Sequence, residues 1–310
     1  MTAERTPPPS RVLLIAAFAA LYIIWGSTYL GIKVGTETMP PWPMIAARHG
    51  VAGIVLYIIL RISGTPAPER QHWIGGIVGG VLLLVIGNGI IAYCSHRIPT
   101  GVASMIVATT PIWMVGVASV RPGGRAPLPK EWLGLGLGLV GLAMLAGPSA
   151  LASIRGTAGA LDVGAVGLIL LGTMSWAIGS VIGRELPKPQ NAFMASALQM
   201  LSAGAVLSVV CLVTGQWQLV NLPAISTRSW LAFWYLIAIG SLLGFTAYVW
   251  LLRVAKTSHV ATYAYVNPIV ALLLGASLGH EIVTREMLFA AAVTLAGVVL
   301  VVMPPLKTAT

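Results

Sequence analysis

Charge is scarce in this sequence. Charged residues make up 8% of its 310 positions, against roughly 25% in a typical soluble domain. Hydrophobic residues make up 57%, and the mean hydropathy is +0.89. A chain this apolar requires lipid as its solvent.

Acidic residues are scarcer still, 8 against 18 Lys and Arg. They are Glu4, Glu37, Glu69, Glu131, Asp162, Glu185, Glu281 and Glu286, and none falls in the middle of an apolar stretch. Proton-driven carriers usually exchange protons on a buried carboxylate, and cation channels ring their pores with carboxylates. Both readings lose support. The net charge of +10 is no nucleic-acid footprint, because the basic residues are scattered at the ends of apolar stretches. A bias toward the cytoplasmic side of a membrane accounts for them.

Other absences narrow the class further. The two cysteines, Cys94 and Cys211, lie in apolar segments, with neither metal-ligand spacing nor a disulfide framework. The longest polar connections, Arg121–Lys130, Pro148–Gly159 and Gly215–Arg228, are too short for a soluble domain. No Gly-rich loop ending in Lys is present, so no ATPase is expected. No nucleophile sits with a carboxylate or His cluster, so neither an enzyme nor a cofactor is expected.

What is present is a series of long apolar runs. A helix needs roughly 20 apolar residues to cross about 30 Å of hydrocarbon. Ten stretches qualify, near 12–34, 42–62, 73–94, 99–119, 131–148, 161–184, 191–214, 229–252, 257–279 and 285–304. They do not alternate as barrel strands would, and lipid demands internal backbone pairing, so they are read as helices. The first is too long for a signal-peptide core and has no clear cleavage site, so it is expected to be retained. With the N-terminus in the cytoplasm, 12 of the 18 basic residues face inward and 4 outward, while Lys33 and Arg48 lie inside or at the edge of spans. That bias puts both termini in the cytoplasm.

The chain also reads twice. Trp25 precedes Lys33 by eight residues, as Trp176 precedes Arg184. Asn88-Gly89-Ile90-Ile91-Ala92-Tyr93 falls opposite Leu243-Gly244-Phe245-Thr246-Ala247-Tyr248, and Thr110-Pro111-Ile112 opposite Asn267-Pro268-Ile269. Five spans per half is an odd number, so the halves sit in opposite orientations. Such inverted repeats mark transporters, with the site near the midplane where the repeats meet. The expected architecture is an all-α membrane protein of ten transmembrane helices, arranged as two inverted five-helix repeats around a central cavity. It divides into a cytoplasmic tail at 1–11, a first repeat at 12–148, a connecting loop at 149–160, a second repeat at 161–304 and a cytoplasmic tail at 305–310.

Polar and aromatic groups at membrane depth are the site candidates. Phe18, Tyr22, Trp25 and Tyr29 share one helical face. Trp42, Trp73, Trp132, Trp217 and Trp230 stand at span ends, as interface anchors do, whereas Trp25, Trp113 and Trp176 lie deeper. Asn88, Asn267 and Gln199 are amides that either lock helices or meet a ligand. Pro111 and Pro268 each free a helix carbonyl, which is either capped by its own Thr or Asn or left to hold an ammonium group. Lys33 and Arg48 either meet a substrate carboxylate, pair with Glu37 or snorkel to an interface. His49 is able to titrate near neutral pH, although a lone intramembrane His more often packs or hydrogen-bonds.

The run Leu21-Tyr22-Ile23-Ile24-Trp25-Gly26-Ser27-Thr28-Tyr29-Leu30-Gly31-Ile32-Lys33, with Pro40-Pro41-Trp42 and Ala47-Arg48, resembles the opening of EamA-domain transporters of the drug/metabolite transporter superfamily. Asn267-Pro268, then Gly279-His280-Glu281 and Glu286, resembles that family's close. The first half departs from it, with Gly123-Gly124-Arg125 where a Gly-Glu pair is common. The first span also lacks the Glu on which the small multidrug-resistance relatives rely. The resemblance implies an inner-membrane, multi-pass, monomeric exporter of small metabolites, with helices one, three, four, six, eight and nine around the cavity. Those spans hold Trp25, Asn88, Tyr93, Trp113, Trp176, Tyr248, Tyr263 and Asn267. The aromatic interior looks most like the YddG-type exporters of aromatic and other neutral amino acids. The expectation is facilitative amino-acid export by alternating access, with the aromatics as an apolar pocket and the amides and freed carbonyls around the zwitterion. The alternative is an exporter of drugs or other small metabolites, coupled to protons.

Overall fold

The computed structural model describes residues 10–121, 128–154, 162–255, 260, 263–280 and 282–302. Outside the described residues lie most of both tails, Gly123-Gly124-Arg125, residues 155–161 of the connecting loop, Lys256 and Glu281. Among the described residues there is no strand. The helices are α1 (Arg11–Gly35), α2 (Pro41–Ile62), α3 (His72–Tyr93), α4 (Thr100–Ser119), α5 (Pro129–Ile154), α6 (Val163–Ile182), α7 (Ala192–Val213), α8 (Thr227–Val254), α9 (Tyr263–Ser277) and α10 (Arg285–Val302). Seven of them, α1–α4 and α6–α8, are long and apolar enough to cross a membrane, and α9 contributes the shorter apolar helix Val266–Ser277.

Local chemistry sets the helix starts. Ser10, Asp162, Asn191 and Ser226 each accept a hydrogen bond from a backbone N–H in the first turn of α1, α6, α7 and α8. Pro40 and Pro99 stand just before α2 and α4, where a missing N–H costs nothing. α5 differs from expectation at its end. It continues through Pro148 to Ile154, so the first part of the anticipated loop is helical. Ala150, Leu151 and Ala152 are strong helix formers, and they extend a helix that a reading of Pro148 as a breaker would stop.

The packing carries the internal repeat. α2 crosses α7 with Gly204 against Gly50 and Gly53 against Leu201. α5 crosses α10 with Gly138 near Gly297 and Gly141 against Thr294. Residue numbers rise along one helix as they fall along the other, so these repeat-matched helices run antiparallel. α1 packs on α8 and α9, and in the same way α6 packs on α3 and α4. These contacts between the halves thus have their counterparts under exchange of the halves. Small residues let these backbones approach, the usual device where lipid removes any hydrophobic drive between helices.

Three ion pairs join connections between helices. Arg97 meets Asp162 at 2.7 Å, Arg228 meets Glu37 at 3.6 Å, and Arg121 meets Glu185. In the ten-span reading, each pair falls on one side of the membrane: Arg97, Asp162, Arg228 and Glu37 together, Arg121 and Glu185 opposite.

Two helices are wound loosely in matching places. α3 is π-helical over Gly80–Asn88, and α8 over Leu236–Phe245. The π form is rare, usually a single turn, and recurs at functional sites. Here it occupies the middle of the third helix of each repeat.

Candidate functional site

The two loosened segments each present a glycine to a tryptophan of the other repeat. A Cβ on Gly87 would stand 3.0 Å from Trp176 Cε3, and one on Gly244 would stand 3.1 Å from Trp25 Nε1. The missing side chains let each indole lie against the partner repeat's backbone. Trp25 and Trp176 then meet edge to face, with centroids 5.4 Å apart. Tyr248 and Tyr263 complete the cluster at 4.7 and 5.0 Å from Trp25, and Phe245 sits 6.4 Å from Trp176. Each such pair contributes about 0.5–1.5 kcal/mol beyond area burial.

A cavity of about 60 Å³ lies against this cluster. Its aromatic wall is Trp25, Trp176, Phe245 and Tyr263, and its polar wall is Thr28, Arg48, His49 and Asn88. A water takes about 30 Å³, so the cavity has room for about two.

The polar wall is a small network. Arg48 is 4% exposed and donates through Nε to Ser241 Oγ at 2.9 Å and through Nη1 to Asn88 Oδ1 at 3.3 Å. His49 Nε2 lies 3.4 Å from the same oxygen. That oxygen accepts only, so Nε2 carries the proton and Nδ1 has a lone pair, left without a partner among the described residues. Among the described residues, no Asp or Glu lines the cavity.

A second cavity of about 70 Å³ lies beyond the cluster, lined by His72, Arg184, Lys188, Gln199, Tyr248 and Arg253 among others. Lys188 donates to the Arg184 carbonyl at 2.7 Å, which caps the end of α6. Burial first, then the neighbouring charges of Arg253 and Arg184, hold its ammonium below the usual lysine range. Between the cavities the Tyr248 hydroxyl accepts from Trp176 Nε1 at 3.3 Å and lies 2.9 Å from Ser180 Oγ. Ser180 donates to the Trp176 carbonyl, so the phenol donates to Ser180. These bonds close the path from the basic cavity to the central one.

The structure brings Trp25, Asn88, Trp176, Tyr263 and Asn267 to the central cavity and Tyr248 to its closed side. It does not bring Tyr93 or Trp113. Tyr93 is 44% exposed, stacks on Trp42 at 5.7 Å and lies under the Arg97 guanidinium. It follows Asn88 by five residues, about 140° around a helix, so one of the two must face away. The second repeat makes the opposite choice: Tyr248 is buried at 1% and Leu243 is 54% exposed. Trp113 turns its indole onto Thr109 Oγ1 at 3.2 Å, one turn back on its own helix.

The carbonyl freed by Pro111 is also not available as expected, and Asn267 is engaged with carbonyls other than the Ala264 O that Pro268 frees. Pro111 leaves Val107 O without its helix donor, and the Thr110 hydroxyl takes it at 2.5 Å. Asn267, with its amide nitrogen turned toward the two carbonyls it faces, donates to Tyr263 O at 3.2 Å and Tyr22 O at 3.0 Å. It locks α9 to α1. Sequence reasoning left Arg48 and His49 undecided between site and packing. A charge at membrane depth was the visible signal, but the lack of a counter-ion shows only in three dimensions. Thr28, Phe245 and Gly240 gave no signal.

Comparison with known proteins agrees with this architecture. The EamA-like transporter family model matches residues 12–147 and 163–303. The uncharacterized inner membrane transporter YedA of Escherichia coli (strain K12) is 38% identical over 289 residues, spanning 93% of this chain and 90% of the relative. A probable amino-acid metabolite efflux pump of Salmonella typhimurium is 24% identical over 283 residues, spanning 89% of this chain and 90% of the relative. A solved crystal structure superposes with a TM-score of 0.64 at 17% identity, over 94% of this chain and 96% of that one, which speaks for the fold alone. Two family matches, one per half, meet at a cavity built from both, and the chain belongs to the EamA-like transporter family of membrane transporters.

Proposed function

We propose that this protein is a ten-helix, inverted-repeat exporter of the inner membrane that moves aromatic and other neutral amino acids outward by alternating access. The observation that carries this reading is the meeting of repeat-matched Trp25 and Trp176 beside a cavity lined by residues of both repeats. A site built from both repeats opens to one side or the other as the repeats rock. The Trp176–Tyr248–Ser180 bonds act as the closed gate toward the basic cavity. The relatives' names support an inner-membrane exporter and, for the Salmonella protein, an amino-acid metabolite cargo. No carboxylate lines the cavity, which favours facilitative movement over proton exchange. Both walls come from one chain, so a monomer suffices, with both termini cytoplasmic.

The test is flux of a labelled amino-acid panel into liposomes holding the purified protein. Aromatic and neutral amino acids should enter without a pH gradient. Trp176→Ala should cut that flux at least tenfold while the protein remains folded and monodisperse. Unchanged flux in that variant would sink the assignment of the cavity.

A further inference from the structure

The central cavity's polar wall carries a cation and, among the described residues, no anion. Its one formal charge is Arg48, which is buried and has no carboxylate within ion-pair distance among the described residues. The fold holds the guanidinium by two edges only, Nε on Ser241 and Nη1 on Asn88. Arg48 lines the cavity, and Nη2 lies against Gly240, where a Cβ would stand 2.9 Å from it, so the glycine makes room for the guanidinium at the cavity wall. Asn88 adds to the asymmetry. Its oxygen is taken by Arg48 and His49, which leaves its NH2 group as a second donor on the same wall. Two carbonyls near the site are engaged: Val107 O accepts from the Thr110 hydroxyl, and Tyr263 O from the Asn267 amide.

An unpaired cation at membrane depth is costly, and such residues commonly mark the path of a substrate. A carboxylate matches the planar fork of a guanidinium edge better than any other small-molecule group. Opposite it stands an aromatic wall with no charge.

We propose that Arg48 and the Asn88 amide read the substrate's carboxylate, and that no carboxylate among the described residues of the site pairs with an amine. The substrate class is then carboxylic acids on an apolar or aryl body, with or without an α-amino group. This deepens the proposed function and rests on the same cavity. It also changes the energetics of export. A zwitterion crosses without regard to membrane potential, whereas a monoanion leaving an interior held 100 mV negative is favoured about 50-fold. A carrier of such acids needs no proton-exchanging carboxylate to drive it outward.

The test uses three ligands with one aryl-ethyl body: 3-phenylpropionate, L-phenylalanine and phenethylamine. Binding to the purified full chain is measured by titration calorimetry. The acid should bind at least as tightly as the amino acid, and the amine at least tenfold more weakly. Arg48→Gln should weaken the acid by about 10- to 100-fold. Should that variant not fold, Asn88→Asp retains shape and acceptor while giving the guanidinium an internal counter-ion, and it should weaken the acid to a similar degree. Equal or tighter binding of phenethylamine, or an unchanged affinity for 3-phenylpropionate in a folded Arg48→Gln or Asn88→Asp, overturns the proposal. The expected binding order without liposome flux of any ligand supports it and refutes the carrier reading alone.

Discussion

Gly50 and Gly204 face each other across the α2–α7 crossing, yet the structure assigns them different tolerances. A Cβ built on Gly204 lies 2.5 Å from both Cα and N of Gly50, and 3.2 Å from the Ala46 carbonyl. These are backbone atoms, so no rotamer relieves the clash. Carbon atoms pack best at about 3.5–4.0 Å, so the helices must separate by about 1–1.5 Å. Overpacking of this kind costs about 1–3 kcal/mol. A Cβ on Gly50 meets only the Gly204 Cα, at 3.9 Å, an ordinary contact. Gly50→Ala should therefore gain the roughly 0.5–1 kcal/mol by which alanine exceeds glycine inside a helix. Gly204→Ala gains the same helix propensity, so the two variants should differ by the overpacking alone, about 1–3 kcal/mol, although they place the same methyl on the same seam. Thermal unfolding in one detergent, with Gly167→Ala as a control whose Cβ meets nothing within 4 Å, reads the order directly. Equal melting temperatures for Gly50→Ala and Gly204→Ala would refute the close antiparallel crossing.

Two further outcomes are expected. Tyr93→Ala and Trp113→Phe should leave amino-acid affinity within twofold of the parent in the liposome assay, because neither ring reaches the cavity; a tenfold loss in either would return that residue to the site. The Asp162 carboxyl is held below its ordinary value of 3.8, first by the Ala165 N–H and then by Arg97. A depressed value means that this stabilisation is present above the ordinary carboxylate range and is lost as pH falls through the lowered one. Between pH 5 and 3 the parent should therefore lose more thermal stability than Asp162→Asn, which retains the cap but does not titrate.

Much of this was legible before any coordinates. The apolar runs located the helices to within a few residues, since lipid leaves the backbone no alternative. The Trp25–Trp176 register located the repeat, because the two halves use the same residue where they meet. Trp25, Asn88, Trp176, Tyr263 and Asn267 could be named in advance as polar or aromatic groups at depth.

Position around a helix was not legible where the winding changes. Tyr93 and Tyr248, equivalent in the repeat, lie exposed and buried although a π-helical stretch precedes each, because Tyr93 stacks on Trp42 while Tyr248 joins the Trp25 cluster. Nor could sequence decide between two uses of one polar group. Thr110 caps the carbonyl freed by Pro111, and Asn267 ties α9 to α1, because partners several turns or helices away are in reach. The sequence by itself determined a membrane chain of two matched halves with charges kept to the ends, since composition and hydropathy are local properties. Only the tertiary structure decided that Arg48 stands at the cavity with no counter-ion among the described residues, since the partner of a charge depends on which helices pack around it.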